Sequence, residues 1–154
     1  MRHGDALMRA PKDSLRPLSR LGHDQAVQSA TYLGSCLQDH KPLGLVLASP
    51  YLRAQETTNN VVEQLDYTGE LITCNSITPD NSPDTVIKML SQYESRGPVL
   101  MVSHQPLVSG LIGLLTTGNS YEGVSMGTAS IACLEMPLVG VGLAELLWLK
   151  HSTL

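Results

Sequence analysis

A chain of 154 residues is most simply one domain, running from residue 1 to residue 154, and it is long enough to bury a sizeable core. Hydrophobic residues at 42% and charged residues at 16% are an ordinary soluble balance. The formal net charge of −4 excludes nucleic acid as a partner, because no basic surplus exists to meet a phosphate backbone.

Residues 5–20 are polar and punctuated by Pro11 and Pro17, which predicts an ordered loop. From Gly22 onward Ala26, Ala30, Leu33 and Leu37 are spaced for one apolar helical face. Leu43-Gly44-Leu45-Val46-Leu47-Ala48 is a short continuous apolar run, the pattern of a buried parallel strand. It ends at Ser49-Pro50, and a second helix is expected over 52–65. A short strand at 71–73 precedes a Pro/Asp/Asn/Ser loop through 78–83, after which Ser82 or Asp84 caps a helix carrying Val86, Ile87, Leu90 and Tyr93. Val99-Leu100-Met101-Val102 is the clearest buried strand, and it delivers Ser103-His104 at its C-terminal end. A helix over 108–115 follows, then two strand-like runs at 129–134 and 143–149 that resemble a hairpin. Strands alternating with helices predict an α/β fold: a mostly parallel central sheet with helices on both faces and the C-terminal hairpin at its edge.

Cys36, Cys74 and Cys133 form no CxxC pair, which fits reduced thiols in a cytoplasmic protein. The N-terminus has no apolar signal-peptide core. The longest apolar stretch, near the C-terminus, is interrupted by Glu135, Pro137, Gly140, Gly142 and Glu145, so no membrane span is expected.

In an open α/β sheet, ligands bind beyond the carboxyl ends of the strands. Arg53 follows one apolar run and His104 the other, and Arg2-His3 would join them on a strand ahead of them. Guanidinium forks match phosphate oxygens in paired geometry, and fixed positive charge stabilises the equatorial oxygens during phosphoryl transfer. A neutral histidine can attack phosphorus and form a phosphohistidine that water later hydrolyses.

Arg2-His3-Gly4, then Leu18-Ser19-Arg20-Leu21-Gly22-His23-Asp24-Gln25-Ala26, Ser49-Pro50-Tyr51-Leu52-Arg53-Ala54 and Ser103-His104 occur in an order that resembles the histidine phosphatase superfamily over residues 1–110. Within it the chain is similar to the SixA branch of phosphohistidine phosphatases, on Asp5, Ser14-Leu15-Arg16-Pro17-Leu18 and Ile77-Thr78-Pro79. The resemblance implies a phosphoglycerate mutase-like fold and no metal or organic cofactor. It implies a covalent intermediate on His3, and Arg2, Arg16, Arg53 and His104 as the phosphate pocket, with His104 staying protonated to stabilise developing charge. The substrate it implies is a phosphorylated protein, a histidine-containing phosphotransfer domain. It also calls for a central strand just before Arg2, of roughly five or six residues. That strand is missing from the sequence, so Met1 is expected to be an internal methionine of a longer natural protein. His3 then rides on an unanchored terminus.

Only 50 residues, 54–103, lie between Arg53 and His104. They suffice for helix, strand, loop, helix and strand but for no lid, which predicts a shallow, open site suited to a side chain displayed by another protein. Two departures from the superfamily pattern stand out. Ala54-Gln55-Glu56-Thr57 replaces Ala-x-Gln-Thr, a change expected to affect only local helix contacts. The general acid has no clear carboxylate: Asp80 is the best-placed loop residue, with Asp84 behind it, and Asp5 either orients an arginine or does chemistry. Imidazole is a better leaving group than an alkoxide once its ring is protonated, so a weak or absent acid favours phosphohistidine. Two rival readings are a small-molecule phosphomonoesterase of the same superfamily and a catalytically inert phosphate-binding module. His23 sits where the motif tolerates most residues, His40 and His151 are expected at the surface, and Met101 and Met126 in the core.

Overall fold

A computed structural model describes residues 1–38 and 41–154, so His40 lies outside the described residues. The continuous apolar run forms strand β1 (Leu45–Ala48), buried at every position. It is the middle of a parallel sheet, with β2 (Leu71–Thr73) on one side and β3 (Val99–Val102) on the other, in the order β2-β1-β3. The register pairs Val46 with Leu71 and Leu45 with Val99. A strand buried on both faces needs apolar residues at odd and even positions alike, and the two faces of β1 divide the core accordingly.

On one face Val46 packs with Leu100 and Val102 of β3 beneath helices α1 (Arg20–Leu37) and α2 (Leu52–Gln64), through Ala30, Leu33, Ala54 and Val61. On the other, Leu45 and Leu47 pack against α3 (Pro83–Leu90) and α4 (Leu107–Thr117), through Val86, Met89, Leu107, Leu111 and Leu115. Both α1 and α3 carry a side-chain cap at their starts, and α1 begins at Arg20, two residues ahead of the expected Gly22. Ser19 caps α1 by accepting from the Gly22 amide at 3.0 Å. Ser82, rather than Asp84, caps α3 by accepting from the Thr85 amide at 3.3 Å, with Pro83 at the first helical position. The helix over 108–115 extends by a residue or two at each end and stops at Gly118, whose φ of +81° suits a residue without Cβ.

The C-terminal hairpin is present as antiparallel β4 (Ile131–Glu135) and β5 (Glu145–Lys150), with a register shift between Cys133 and Leu134. It joins the parallel sheet through residues 1–3, and here the structure corrects the expectation of an unanchored His3. Arg2 bridges Ser103 in parallel; the His3 amide donates to the Ser103 carbonyl and the Ser103 amide to the Met1 carbonyl, both at 3.0 Å. On the opposite side the Arg2 amide donates to the Ser130 carbonyl at 3.0 Å and the Ala129 amide to the His3 carbonyl at 2.9 Å. Three residues laid between β3 and the start of β4 therefore perform the task assigned to a missing strand, because both neighbours offer free ladder groups there.

Among the described residues no helix is long and apolar enough to cross a membrane.

Candidate active site

The polar residues that follow β1 and β3, together with residues 1–3, converge at the carboxyl edge of the sheet. Arg53 lies in the first turn of α2 and is only 4% exposed; His3 and His104 are 8% and 1% exposed. The two imidazoles stand with ring centroids 5.0 Å apart, and Tyr51 packs edge-on against His104 while the Arg53 guanidinium lies 5.0 Å over the Tyr51 ring. Arg2, His3, Arg53 and His104, up to 102 positions apart in sequence (104 − 2), thus form one cluster.

The tautomer of His3 follows from its neighbours. Nδ1 lies 2.7 Å from the Gly4 carbonyl, which only accepts, so Nδ1 carries the proton. Nε2 then presents its lone pair, and Arg53 Nε donates to it at 3.2 Å. Burial, with Arg53, Arg2 and Arg16 nearby and only partly offset by the Gly4 bond, lowers the His3 pKa to about 4. His3 is a neutral, oriented imidazole at neutral pH.

His104 departs from expectation. Burial above all, then His3 and Arg53, lower its pKa to about 3, so it is neutral rather than protonated. The Tyr51 amide donates to Ser49 Oγ at 3.4 Å, and Ser49 Oγ lies 2.7 Å from His104 Nε2. His104 Nδ1 is buried and without a partner among the described residues. The Arg2 Nε–H is likewise buried and unpartnered, while Arg2 NH1 donates to the Met126 carbonyl at 2.8 Å. An orphaned buried guanidinium donor beside two imidazoles suits a tetrahedral oxyanion.

Arg16 reaches the site from the loop. Its guanidinium donates to the Leu7 carbonyl at 2.8 Å and to Asp13 Oδ1 at 3.1 Å. Asp13 also binds Arg53 twice: Arg53 NH1 donates to the Asp13 carbonyl at 2.7 Å and NH2 to Oδ2 at 3.1 Å. Burial pushes the Asp13 carboxyl up, but the hydrogen bonds from Arg16 and Arg53 outweigh it and hold the pKa below the ordinary carboxylate value. Sequence reasoning passed over Asp13. The site is consequently less open than the spacing predicts, since the 3-10 turn Asp13–Leu15 lies over Arg53.

The other carboxylates fall elsewhere. Asp80 and Asp84 are exposed and make no side-chain bond to the cluster. Asp5 makes no hydrogen bond to an arginine among the described residues, although its charge acts on Arg2; Oδ2 accepts from Ser19 Oγ at 2.5 Å, tying the loop to the cap of α1. Glu56 does more than adjust local helix contacts, because Oε2 accepts from the Leu18 amide at 2.6 Å, 38 positions away. The backbones themselves meet where Gly4 faces Gly22: a Cβ on Gly4 would lie 2.4 Å from the Gly22 carbonyl oxygen, and one on Gly22 2.0 Å from that of Asp5. Only glycine fits at either position. His23 Nδ1 pairs with Asn60 between α1 and α2, His151 is exposed and pairs with Ser130, and Met126 is core.

A parallel sheet whose carboxyl edge gathers two arginine-flanked histidines defines a histidine phosphatase of phosphoglycerate mutase-like architecture. No protein-family model matches the chain. It is 34% identical over 123 residues to the phosphohistidine phosphatase SixA of Escherichia coli K12, covering 78% of this chain and 74% of that one. It is 35% identical over 121 residues to a SixA homologue of Haemophilus influenzae, covering 75% and 74%. The structure of the protein histidine phosphatase SixA complexed with tungstate superposes with a TM-score of 0.88 at 30% identity, over 99% of this chain and 94% of that one. The chain belongs to the SixA family of phosphohistidine phosphatases.

Proposed function

We propose that the protein removes the phosphoryl group from a phosphohistidine displayed by a histidine-containing phosphotransfer domain, through a covalent phosphohistidine on His3. The observation that carries this reading is the pairing of His3 Nδ1 with the Gly4 carbonyl at 2.7 Å while Arg53 Nε faces Nε2 at 3.2 Å. The lone pair is thereby held among the positive charges that a phosphoryl group requires. Nε2 attacks phosphorus, the substrate's P–N bond breaks, and Arg2, Arg16, Arg53 and the N–H of His104 hold the phosphoryl oxygens. Water then cleaves the new P–N bond and releases inorganic phosphate. The His3–His104–Arg2–Arg53 cluster supplies this chemistry from its own side chains, and one domain over residues 1–154 carries it. A SixA relative that is complexed with tungstate, a tetrahedral oxyanion, supports the same class of ligand here. The chain's composition and unpaired cysteines support a cytoplasmic setting.

The test mixes the protein with a phosphotransfer domain phosphorylated on histidine, quenches early, and follows acid-labile phosphate. Wild type is expected to carry transient label and clear the substrate, and His3→Ala to do neither. Turnover of alkyl phosphates well above phosphoramidate would favour a small-molecule phosphomonoesterase. Labelled substrate left intact by wild type would favour an inert phosphate-binding module.

A further inference from the structure

The His3 ring is oriented by a residue with few conformational limits of its own. The acceptor of its Nδ1 proton is the carbonyl of Gly4, whose backbone turns easily because it carries no Cβ. Glycine is nevertheless required there, since a Cβ would lie 2.4 Å from the Gly22 carbonyl oxygen. Something other than side-chain bulk therefore has to fix the two peptide planes that meet at Gly4.

The first plane, between His3 and Gly4, is held from both sides. Its carbonyl accepts from the Ala129 amide at 2.9 Å, and its N–H donates to Thr57 Oγ1 at 3.0 Å. Thr57 has one hydroxyl proton, which goes to the Arg53 carbonyl at 2.7 Å and leaves the oxygen's lone pairs to the Gly4 amide. The second plane, between Gly4 and Asp5, presents its carbonyl to His3 Nδ1 and donates its N–H to Gln25 Oε1 at 3.0 Å. Thr57 is fully buried and Gln25 is 4% exposed, so water does not replace either acceptor. A closed ring results. Thr57 bonds the backbone of Arg53, the Arg53 side chain bonds His3 Nε2 at 3.2 Å, and His3 Nδ1 returns through Gly4 to Thr57.

Resting on the phosphatase reading above, we propose that Thr57 and Gln25 are positioning residues for the reaction: by clamping the two peptide planes of Gly4 they keep its carbonyl on Nδ1 and the Nε2 lone pair of His3 facing Arg53. Neither bonds the His3 ring itself. Their contribution is to attack, because a ring that leaves its attacking orientation loses rate before it loses binding. The bonds from Arg16 and Arg53 to Asp13 involve neither residue, so the pocket keeps its charges when one is replaced.

The experiment uses the whole chain, with isotope-labelled histidine, as wild type, Thr57→Val, Thr57→Ser and Gln25→Met. Valine keeps the shape of threonine without its hydroxyl, serine keeps the hydroxyl, and methionine keeps the length of glutamine without its amide. In wild type the His3 Nδ1 proton, assigned by its absence from His3→Gln, is expected to be observable by NMR and slow to exchange with water. In Thr57→Val and Gln25→Met it is expected to exchange about tenfold faster or more, with kcat on phosphoimidazole about tenfold lower and KM changed by less than about threefold. Thr57→Ser is expected to restore both readings to within about threefold of wild type. A folded Thr57→Val with an unchanged Nδ1 signal overturns the proposal, because Thr57 then supports α2 alone. A loss carried mainly by KM overturns it too, as does a serine variant as impaired as valine. If Thr57→Val does not fold, Gln25→Met is read by the same criteria. Wild type inactive on phosphoimidazole overturns the phosphatase reading; the Nδ1 signal needs no substrate, so its persistence in the variants overturns this proposal independently.

Discussion

The sheet edge and the loop over 5–18 build the two halves of the site by different means. His3, Arg53 and His104 hang from strand ends and a first helical turn, buried beside the core, and their positions follow from backbone ladders on Ser103 and from apolar packing. Asp13 and Arg16 belong to a polar loop held by isolated ties: Asp5 on Ser19, Glu56 on Leu18, Arg16 on the Leu7 carbonyl. Groups fixed by packing come with desolvation, which is why both histidines are neutral. Groups fixed by polar ties remain partly solvated and keep their charges. The division puts the two histidines and Arg53 in the rigid half and the exposed charges of Asp13 and Arg16 in the adjustable one.

The largest test of that division is Arg53→Ala. Arg53 touches both halves, through His3 on one side and Asp13 on the other, and is almost wholly buried. Its loss is expected to lower kcat/KM on phosphohistidine by about a thousandfold, the scale of removing a preorganised charge at the transferring phosphoryl group. A loss below about tenfold would mean that the sheet edge does not set the chemistry.

Acid should expose the buried half next. His3 and His104 have folded-state pKa values lowered to about 4 and about 3, below the ordinary histidine value of about 6.5. The folded protein therefore binds fewer protons than the unfolded chain between those limits. The stability contribution is fully present above about 6.5 and is lost as pH falls toward 4 and 3. Between pH 7 and 5 each histidine is expected to cost on the order of 2 kcal/mol, read as a falling urea midpoint. A His104→Gln variant should lose about half of that slope. An equal slope in the variant would place the acid sensitivity outside the sheet edge.

The two halves were also unequally legible in the sequence. The run 43–48 and the strand Val99–Val102 announce themselves by continuous apolar character, so the residues after them, Arg53 and His104, are expected at the carboxyl edge of the sheet, where the structure has them. Even β2, three residues long, emerged because turn residues bound it on both sides. The loop gave no such period. Arg53 to Asp13 and Glu56 to Leu18 are isolated polar ties between residues about 40 positions apart, and no local pattern encodes them. The one available signal was charge alternation, Asp13 three residues ahead of Arg16 in a turn, which makes a local ion pair natural without saying what else it holds. The proton state of His104 was misjudged for a related reason. Its charge depends on complete burial, which sequence position alone does not reveal. Residues 1–3 escaped as a strand because three residues carry no alternation, although their free ladder groups found partners on both sides.

Arg16→Ala measures the loop directly. Arg16 is partly solvated, with its side chain 22% exposed, and one of its partners is the still more accessible Asp13, at 58%. Exposed charge contributes less than buried charge, so kcat/KM is expected to fall by about tenfold, mostly through KM. A loss equal to that of Arg53→Ala would erase the distinction between the two halves.

The smallest expected effect tests whether the loop's ties are structural rather than chemical. Glu56 Oε2 satisfies the amide of Leu18, a residue 4% exposed, so Glu56→Ala leaves a buried N–H without an acceptor. That costs about 1–3 kcal/mol of unfolding free energy. Glu56→Gln retains a side-chain carbonyl oxygen at the same reach, so it should recover most of the loss by thermal or urea unfolding; the tie needs an acceptor, not a charge. Because Glu56 makes no bond to His3, Arg2, Arg53 or His104, turnover in either variant should change by less than about threefold once the protein is folded. If Glu56→Ala instead cuts turnover as deeply as Arg16→Ala while leaving stability intact, the loop's polar ties position catalytic charge directly. The site would then depend on loop and sheet edge in equal measure.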